Sequence, residues 1–144
     1  FAVANPAITK ILRAAKSPYN VNAVSQAMAS VVLKNPLYKS VYNDIIITSR
    51  DMLINGLKRL ESEGLVEKVY NSRTNFAFVK LDDADGVFNS LADRGIAVRK
   101  IGENHLRITA GREEENREVL CAISSYLRMK KGEGYENRCI FAKD

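Results

Sequence analysis

Ile96-Ala97-Val98-Arg99-Lys100-Ile101-Gly102-Glu103-Asn104-His105-Leu106-Arg107-Ile108-Thr109-Ala110-Gly111 is the stretch on which the fold of this sequence turns. Apolar and polar side chains alternate through its second half, the period of a strand with one buried face. Gly102, Glu103 and Asn104 supply turn chemistry, so 96–101 and 105–110 read as the two arms of a hairpin. Alternation aims Arg107 at the face opposite to Leu106 and Ile108. Arg99 ends the first arm. Two guanidiniums on facing strands make a fork for a carboxylate or a phosphate. The same residues also describe a solvated, charged sheet face, and the pattern alone leaves both readings open. His105 is the only histidine of the chain. Beside a turn at the start of a strand, it reads as a surface or partly packed ring.

Outward from the hairpin the pattern changes period. On the C-terminal side a helix begins near Gly111, with Glu113, Glu114 and Glu115 in its first turn, where carboxylates favour the helix dipole. Val119, Leu120, Ile123 and Leu127 form its inward stripe, and Cys121 beside them reads as a small core residue. On the N-terminal side, Asp82-Asp83 caps a helix carrying Val87, Phe88, Leu91 and Ala92, which stops at Gly95. Residues 65–70 and 75–81 read as strands, rich in Val, Phe and Tyr. Before them, Leu37, Val41, Ile45, Thr48, Met52, Gly56 and Leu60 recur near heptad spacing, widened by Leu53 and Leu57. A helix over 36–63 would rise about 40 Å and end at Gly64. Asn5-Pro6 starts a first helix through Ile8, Ile11, Leu12 and Ala15, closed by Ser17-Pro18. Asn20 or Asn22 caps a second, with Val24, Met28, Val31 and Val32 on one face. The order is three helices, two strands, a helix, a hairpin and a helix. It predicts an α+β fold with helices against one face of a mainly antiparallel sheet.

Composition narrows the function. The chain has 144 residues with 22 Lys plus Arg against 17 Asp plus Glu, a net +5. All of that excess lies in the first forty residues, which carry Lys10, Arg13, Lys16, Lys34 and Lys39 and no acid. A basic nucleic-acid module is the reading this invites, but the five cations are scattered across two helix faces with no aromatic-rich strand among them. Apolar runs such as Ile45-Ile46-Ile47 are too short to span a bilayer. Cys121 and Cys139 do not make a disulfide framework, and with one histidine they give no zinc spacing, so a reducing cytoplasm is expected. Phe1-Ala2-Val3-Ala4 has no basic n-region and no initiator Met, and reads as a strand cut from something longer. No Gly-rich phosphate loop or nucleophile elbow is present. Arg128, Lys130 and Lys131, diluted by Glu133 and Glu136, read as a solvated tail.

Leu106-Arg107-Ile108-Thr109-Ala110-Gly111, followed by Glu114-Glu115-Asn116, closely resembles a segment near the C-terminus of histidinol-phosphate aminotransferases. Four further stretches resemble the family in the right order. They are the opening Phe-Ala-Val-Ala-Asn-Pro, Ser17-Pro18-Tyr19-Asn20-Val21-Asn22, Ser72 to Phe78 with its Thr-Asn-Phe core, and Arg94-Gly95-Ile96-Ala97-Val98-Arg99.

The resemblance implies the C-terminal part of a fold-type I, pyridoxal-phosphate-dependent aminotransferase. Residues 1–35 would be the end of the large domain and an inter-domain segment, 36–63 the long connecting helix, 64–131 the small C-terminal domain and 132–144 a tail. By the same resemblance Arg107 binds the anionic end of the substrate and Arg99 helps to hold it, with Tyr19, Asn20 and Asn75 as further candidates near substrate or cofactor. The family's Schiff-base lysine and its cofactor-binding arginine, aspartate and stacking aromatic would precede Phe1. The chain alone is therefore expected to hold no pyridoxal phosphate, to contain no catalytic residue and not to transaminate. The implied reaction is a two-stage exchange of an amino group between glutamate and imidazole-acetol phosphate, giving 2-oxoglutarate and histidinol phosphate. Threonine-phosphate decarboxylases and aromatic aminotransferases share the C-terminal pattern and stay as alternatives. The implied partners are small-molecule substrates and a second copy of the parent protein in a cytoplasmic homodimer, without metal, nucleic acid or membrane.

Overall fold

A computed structural model describes residues 3–17, 20–132 and 141 of the chain. It divides into two compact units, Phe1–Val41 and Tyr42–Asp144. In the first unit, α1 (Pro6–Ala15) is capped by the Asn5 side chain, which accepts from Ala7 N at 3.0 Å, with Pro6 in the first turn. Asn22, not Asn20, caps α2 (Ala23–Leu33), accepting from Ser25 N at 2.8 Å. No residue of either helix is buried: the expected apolar face of Val24, Met28, Val31 and Val32 is exposed throughout.

The helix α3 (Pro36–Ser62) begins in the first unit and ends in the second. Its sequence stripe is continuous, yet its buried residues are Leu53, Ile54, Gly56, Leu57 and Leu60, while Leu37, Val41 and Ile45 are exposed. Burial begins where the sheet and α5 supply a partner surface, which a repeat in one helix does not encode. Gly64, at φ +69°, ends the helix: Leu65 N donates to Leu60 O at 2.9 Å and Gly64 N to Glu61 O at 3.0 Å. A residue with a Cβ is strained at that φ, so the turn selects glycine.

Four strands form one antiparallel sheet in the order β1-β2-β4-β3: β1 (Lys68–Tyr70), β2 (Phe76–Lys80), β3 (Arg99–Ile101) and β4 (His105–Thr109). β1 is shorter than the apolar run at 65–70 suggests, because Leu65 and Val66 drop into the core directly after the helix turn. α4 (Ala84–Asp93) carries the chain from β2 across to β3, leaving the place between them for β4. Val87 and Leu91 of α4 are buried and Phe88 packs against the core, whereas Ala92 is exposed. α5 (Glu113–Lys130) buries Val119, Leu120, Ile123 and Leu127. These residues join Val69, Ala77, Val79, Leu106 and Ile108 from one face of the sheet in a single apolar cluster. Within the second unit α4, α5 and the end of α3 thus lie on one face of the sheet, and none of these three helices covers the other face. Cys121 is half-buried and disulfide-bonded, which corrects its reading as a small core residue and removes the cysteines as grounds for a reducing compartment. The tail falls outside the described residues except for Gly132 and Phe141; Phe141 packs against the core and accepts from Arg117 Nη1 at 2.8 Å through its carbonyl oxygen.

Two polar ties fix α5. Asn116 is 1% exposed; its Oδ1 accepts from Gly111 N at 2.9 Å and its Nδ2 donates to Ser49 O at 3.1 Å and Ser49 Oγ at 2.8 Å. Ser49 Oγ donates in turn to Gly111 O, so the start of α5 is stapled to α3. Asn116→Ala leaves these buried groups unsatisfied, and should lower stability by about 1–3 kcal/mol in urea denaturation.

At the other end, Asp83 caps α4 through Gly86 N at 2.9 Å and accepts from Tyr126 Oη at 2.7 Å and Lys130 Nζ at 2.5 Å. The Lys130 ammonium, then the Tyr126 hydroxyl and the Gly86 amide, lower the Asp83 carboxyl from its usual 3.8 to about 2. A depressed carboxyl pKa contributes stability that is full above the unfolded value and is lost as pH falls through the folded one. Acid titration of the fold should therefore show a loss between about pH 4 and pH 2. Asp83→Asn should flatten that segment of the stability profile; an unchanged profile would show that the tie carries no proton linkage.

Candidate functional site

The open face of the sheet is built by the residues that alternate with the core. In β2, Ala77 and Val79 are buried, so Phe76, Phe78 and Lys80 point away from the helices. In β4, Leu106 and Ile108 are buried and Arg107 takes the other face. Strand register then sets one row across the sheet: Tyr70 opposite Phe78, Phe78 opposite Arg107, and Arg107 opposite Arg99. The hairpin reading thus places the two arginines as direct cross-strand partners.

Arg107 is half-buried, and its guanidinium carbon lies over the Phe76 ring, 5.4 Å from the centroid. Its Nε is buried and has no hydrogen-bond partner. A buried guanidinium N–H without an acceptor is costly, and an anionic oxygen is the acceptor it suits. Next to it His105, also half-buried, stacks on Phe78 with centroids 5.1 Å apart, and its Nε2 lies 3.3 Å from Tyr70 Oη. His105 is a packed member of an aromatic array.

Arg107 lines a pocket of about 490 Å³. Tyr70, Phe76 and Phe78 form its aromatic wall, and the β1–β2 loop contributes Ser72, Arg73 and Thr74. Among the described residues no acidic side chain lines it. Thr74 N donates to Ser72 Oγ at 3.2 Å, and Arg50 Nη1 donates to Thr74 O at 3.4 Å, which ties the loop to α3. Arg99 is exposed and stands outside the lining, although it faces Arg107 across the ladder. Asn75 is exposed too; its backbone carbonyl, rather than its side chain, closes the strand end by accepting from Ala110 N at 2.9 Å. Asn20 is an exposed residue of the first unit, and Tyr19 lies outside the described residues. A larger pocket, about 900 Å³, lies along α3 and the start of α5, but Asp44, Glu113 and Glu115 in its wall make it a poor host for an anion.

The sequence reading missed Arg73, Tyr70, Phe76 and Phe78 as pocket residues. For the two phenylalanines the signal was present: Phe76 and Phe78 alternate with Ala77 and Val79, which marks two aromatics on the face away from the core. Among the described residues no group of three His, Cys, Asp or Glu side chains could hold a metal ion, and no helix is long and apolar enough to cross a membrane.

Residues 1–123 match the family described as aminotransferase class I and II. A histidinol-phosphate aminotransferase of Thermoanaerobacter pseudethanolicus is 40% identical over 132 residues, covering 88% of this chain and 36% of that protein. One from Flavobacterium psychrophilum is 34% identical over 127 residues, with 85% and 36% covered. In fold, the chain is similar to the crystal structure of the histidinol-phosphate aminotransferase from Clostridium acetobutylicum, with a TM-score of 0.71 at 22% identity, covering 87% of this chain and 39% of that one. The chain belongs to the class I and II aminotransferases, a pyridoxal-phosphate-dependent family. It spans about a third of the length of the curated relatives it matches, 36% for the two given.

The pocket's donor set does not fit pyridoxal phosphate itself. Among the described residues no lysine lines it to bond the cofactor aldehyde, and no carboxylate lines it to face a pyridine nitrogen. Arginine, hydroxyls and an aromatic wall suit the anionic end of a small molecule.

Proposed function

We propose that the chain is the substrate-anion-binding part of a histidinol-phosphate aminotransferase of histidine biosynthesis. The parent enzyme would move an amino group between glutamate and imidazole-acetol phosphate with pyridoxal phosphate as cofactor. The observation that carries the reading is the buried, unpartnered Arg107 Nε in a pocket lined by no acid. Both proposed substrates end in an anion, a phosphate in one and a carboxylate in the other, and one guanidinium fork serves both in turn. Arg99, opposite Arg107 and outside the lining, adds positive potential at the rim. In this reading 1–35 is the end of the large domain and an inter-domain segment, 36–63 the connecting helix, 64–131 the small C-terminal domain and 132–144 its tail. The chain supplies binding and no transamination of its own. The parent is a homodimer acting on small molecules.

The test is the full-length protein loaded with pyridoxal phosphate and supplied with histidinol phosphate and 2-oxoglutarate. Formation of glutamate is the expected result. No glutamate, or carbon dioxide released from threonine phosphate instead, would overturn the assignment in favour of a related enzyme.

A further inference from the structure

We infer that Arg73, on the β1–β2 loop, is the second cation of the anion pocket and selects the phosphate-bearing ligand over the carboxylate-bearing one. The inference rests on the reading of Arg107 as the anion holder. Between Tyr42 and Gly132, Arg50, Arg59, Arg112, Arg117 and Arg128 are each engaged in an ion pair. Among the described residues Arg73, Arg94, Arg99 and Arg107 are in none. Of these four, Arg73 and Arg107 line the same pocket, and no carboxylate lines it with them. Two cations placed together without an anion repel one another unless a ligand joins them.

The loop that carries Arg73 is held on both sides. The Ser72 and Thr74 hydroxyls lie 2.8 Å apart, Thr74 N donates to Ser72 Oγ at 3.2 Å, and Arg50 holds the Thr74 carbonyl at 3.4 Å. The backbone beside Arg73 is fixed while its side chain stays exposed and able to reach a ligand. A carboxylate offers two oxygens and one charge, which the Arg107 fork can satisfy alone. A phosphate monoester offers three terminal oxygens and close to two charges at neutral pH, so one oxygen and most of one charge remain for a second cation. The Ser72 and Thr74 hydroxyls share one hydrogen bond, which leaves one further O–H to donate to that third oxygen.

The test titrates the 144-residue chain with inorganic phosphate and, separately, with glutamate, following arginine Nε–Hε resonances and heats of binding. Arg73→Gln should weaken phosphate by about 10-fold and glutamate by less than about 2-fold, while Arg107→Gln should weaken both. If Arg73→Gln binds phosphate like the wild type while Arg107→Gln weakens both ligands, the inference falls and the reading of Arg107 stands. Equal weakening of both ligands by Arg73→Gln overturns the selectivity. An Arg107→Gln chain that binds like the wild type, or a wild-type chain that binds no phosphate, overturns the reading beneath it.

Discussion

Arg107→Ala in the proposed full-length aminotransferase is expected to lower kcat/KM for histidinol phosphate and for glutamate together, each by about 100-fold. The size follows from what is removed. A charge-assisted hydrogen bond contributes about 1.5–3 kcal/mol, and a guanidinium can make two in parallel to one anion. A loss of about 3 kcal/mol corresponds to about a hundredfold. The joint loss follows from geometry, since Arg107 is the guanidinium with a buried, unpartnered Nε at this pocket. Arg107→Lys keeps the charge and loses the planar fork, so it should recover only part of the activity. The core-facing neighbours Leu106 and Ile108 are untouched by either change, so the thermal midpoint of the variants should stay near that of the wild type. Steady-state constants that match the wild type for both substrates would remove Arg107 from the site.

The largest stability effect is expected at Leu57. Its side chain is 0% exposed, on the part of α3 that faces the sheet and α5. Leu57→Ala removes buried methyl groups and leaves a cavity, at a cost of about 3 kcal/mol. For a chain of this size that is about 10 °C in thermal midpoint. Leu37→Ala deletes the same groups from the same helix, but Leu37 is 70% exposed in this chain, and the change should stay within about 0.5 kcal/mol. Equal losses at the two positions in a calorimetric comparison would contradict the division of α3 into an exposed and a buried half.

The contrast between Leu57 and Leu37 also shows where a sequence stops being legible. Heptad-like spacing reports that one side of α3 is apolar along its length, but not which turns meet a partner. Features fixed by neighbours in the chain were readable: Asn5-Pro6 opens α1, Asp83 caps α4, and the turn at Gly102 sets the register that puts Arg99 opposite Arg107. Residues 65–70 misled in part, because an apolar run after a helix can enter the core as a turn as well as a strand. Arg107 was legible because alternation assigns it a face. Arg73 was not, since a loop has no period and its place beside Arg107 depends on how β1 and β2 bring that loop to the pocket. Cys121 carried no local signal of its disulfide at all.

The order β1-β2-β4-β3 has a consequence in time as well as in space. β4 is the last strand to leave the ribosome, yet it occupies the interior position between β2 and β3. A nascent chain that stops short of His105 has the β1–β2 hairpin, but β3 has no neighbour to pair with. Joining β2 to β4 closes a loop that includes the whole of α4, the kind of non-local contact that slows folding. Arg107 lies on that same strand, so the wall it gives the pocket is in place only once β4 has joined the sheet.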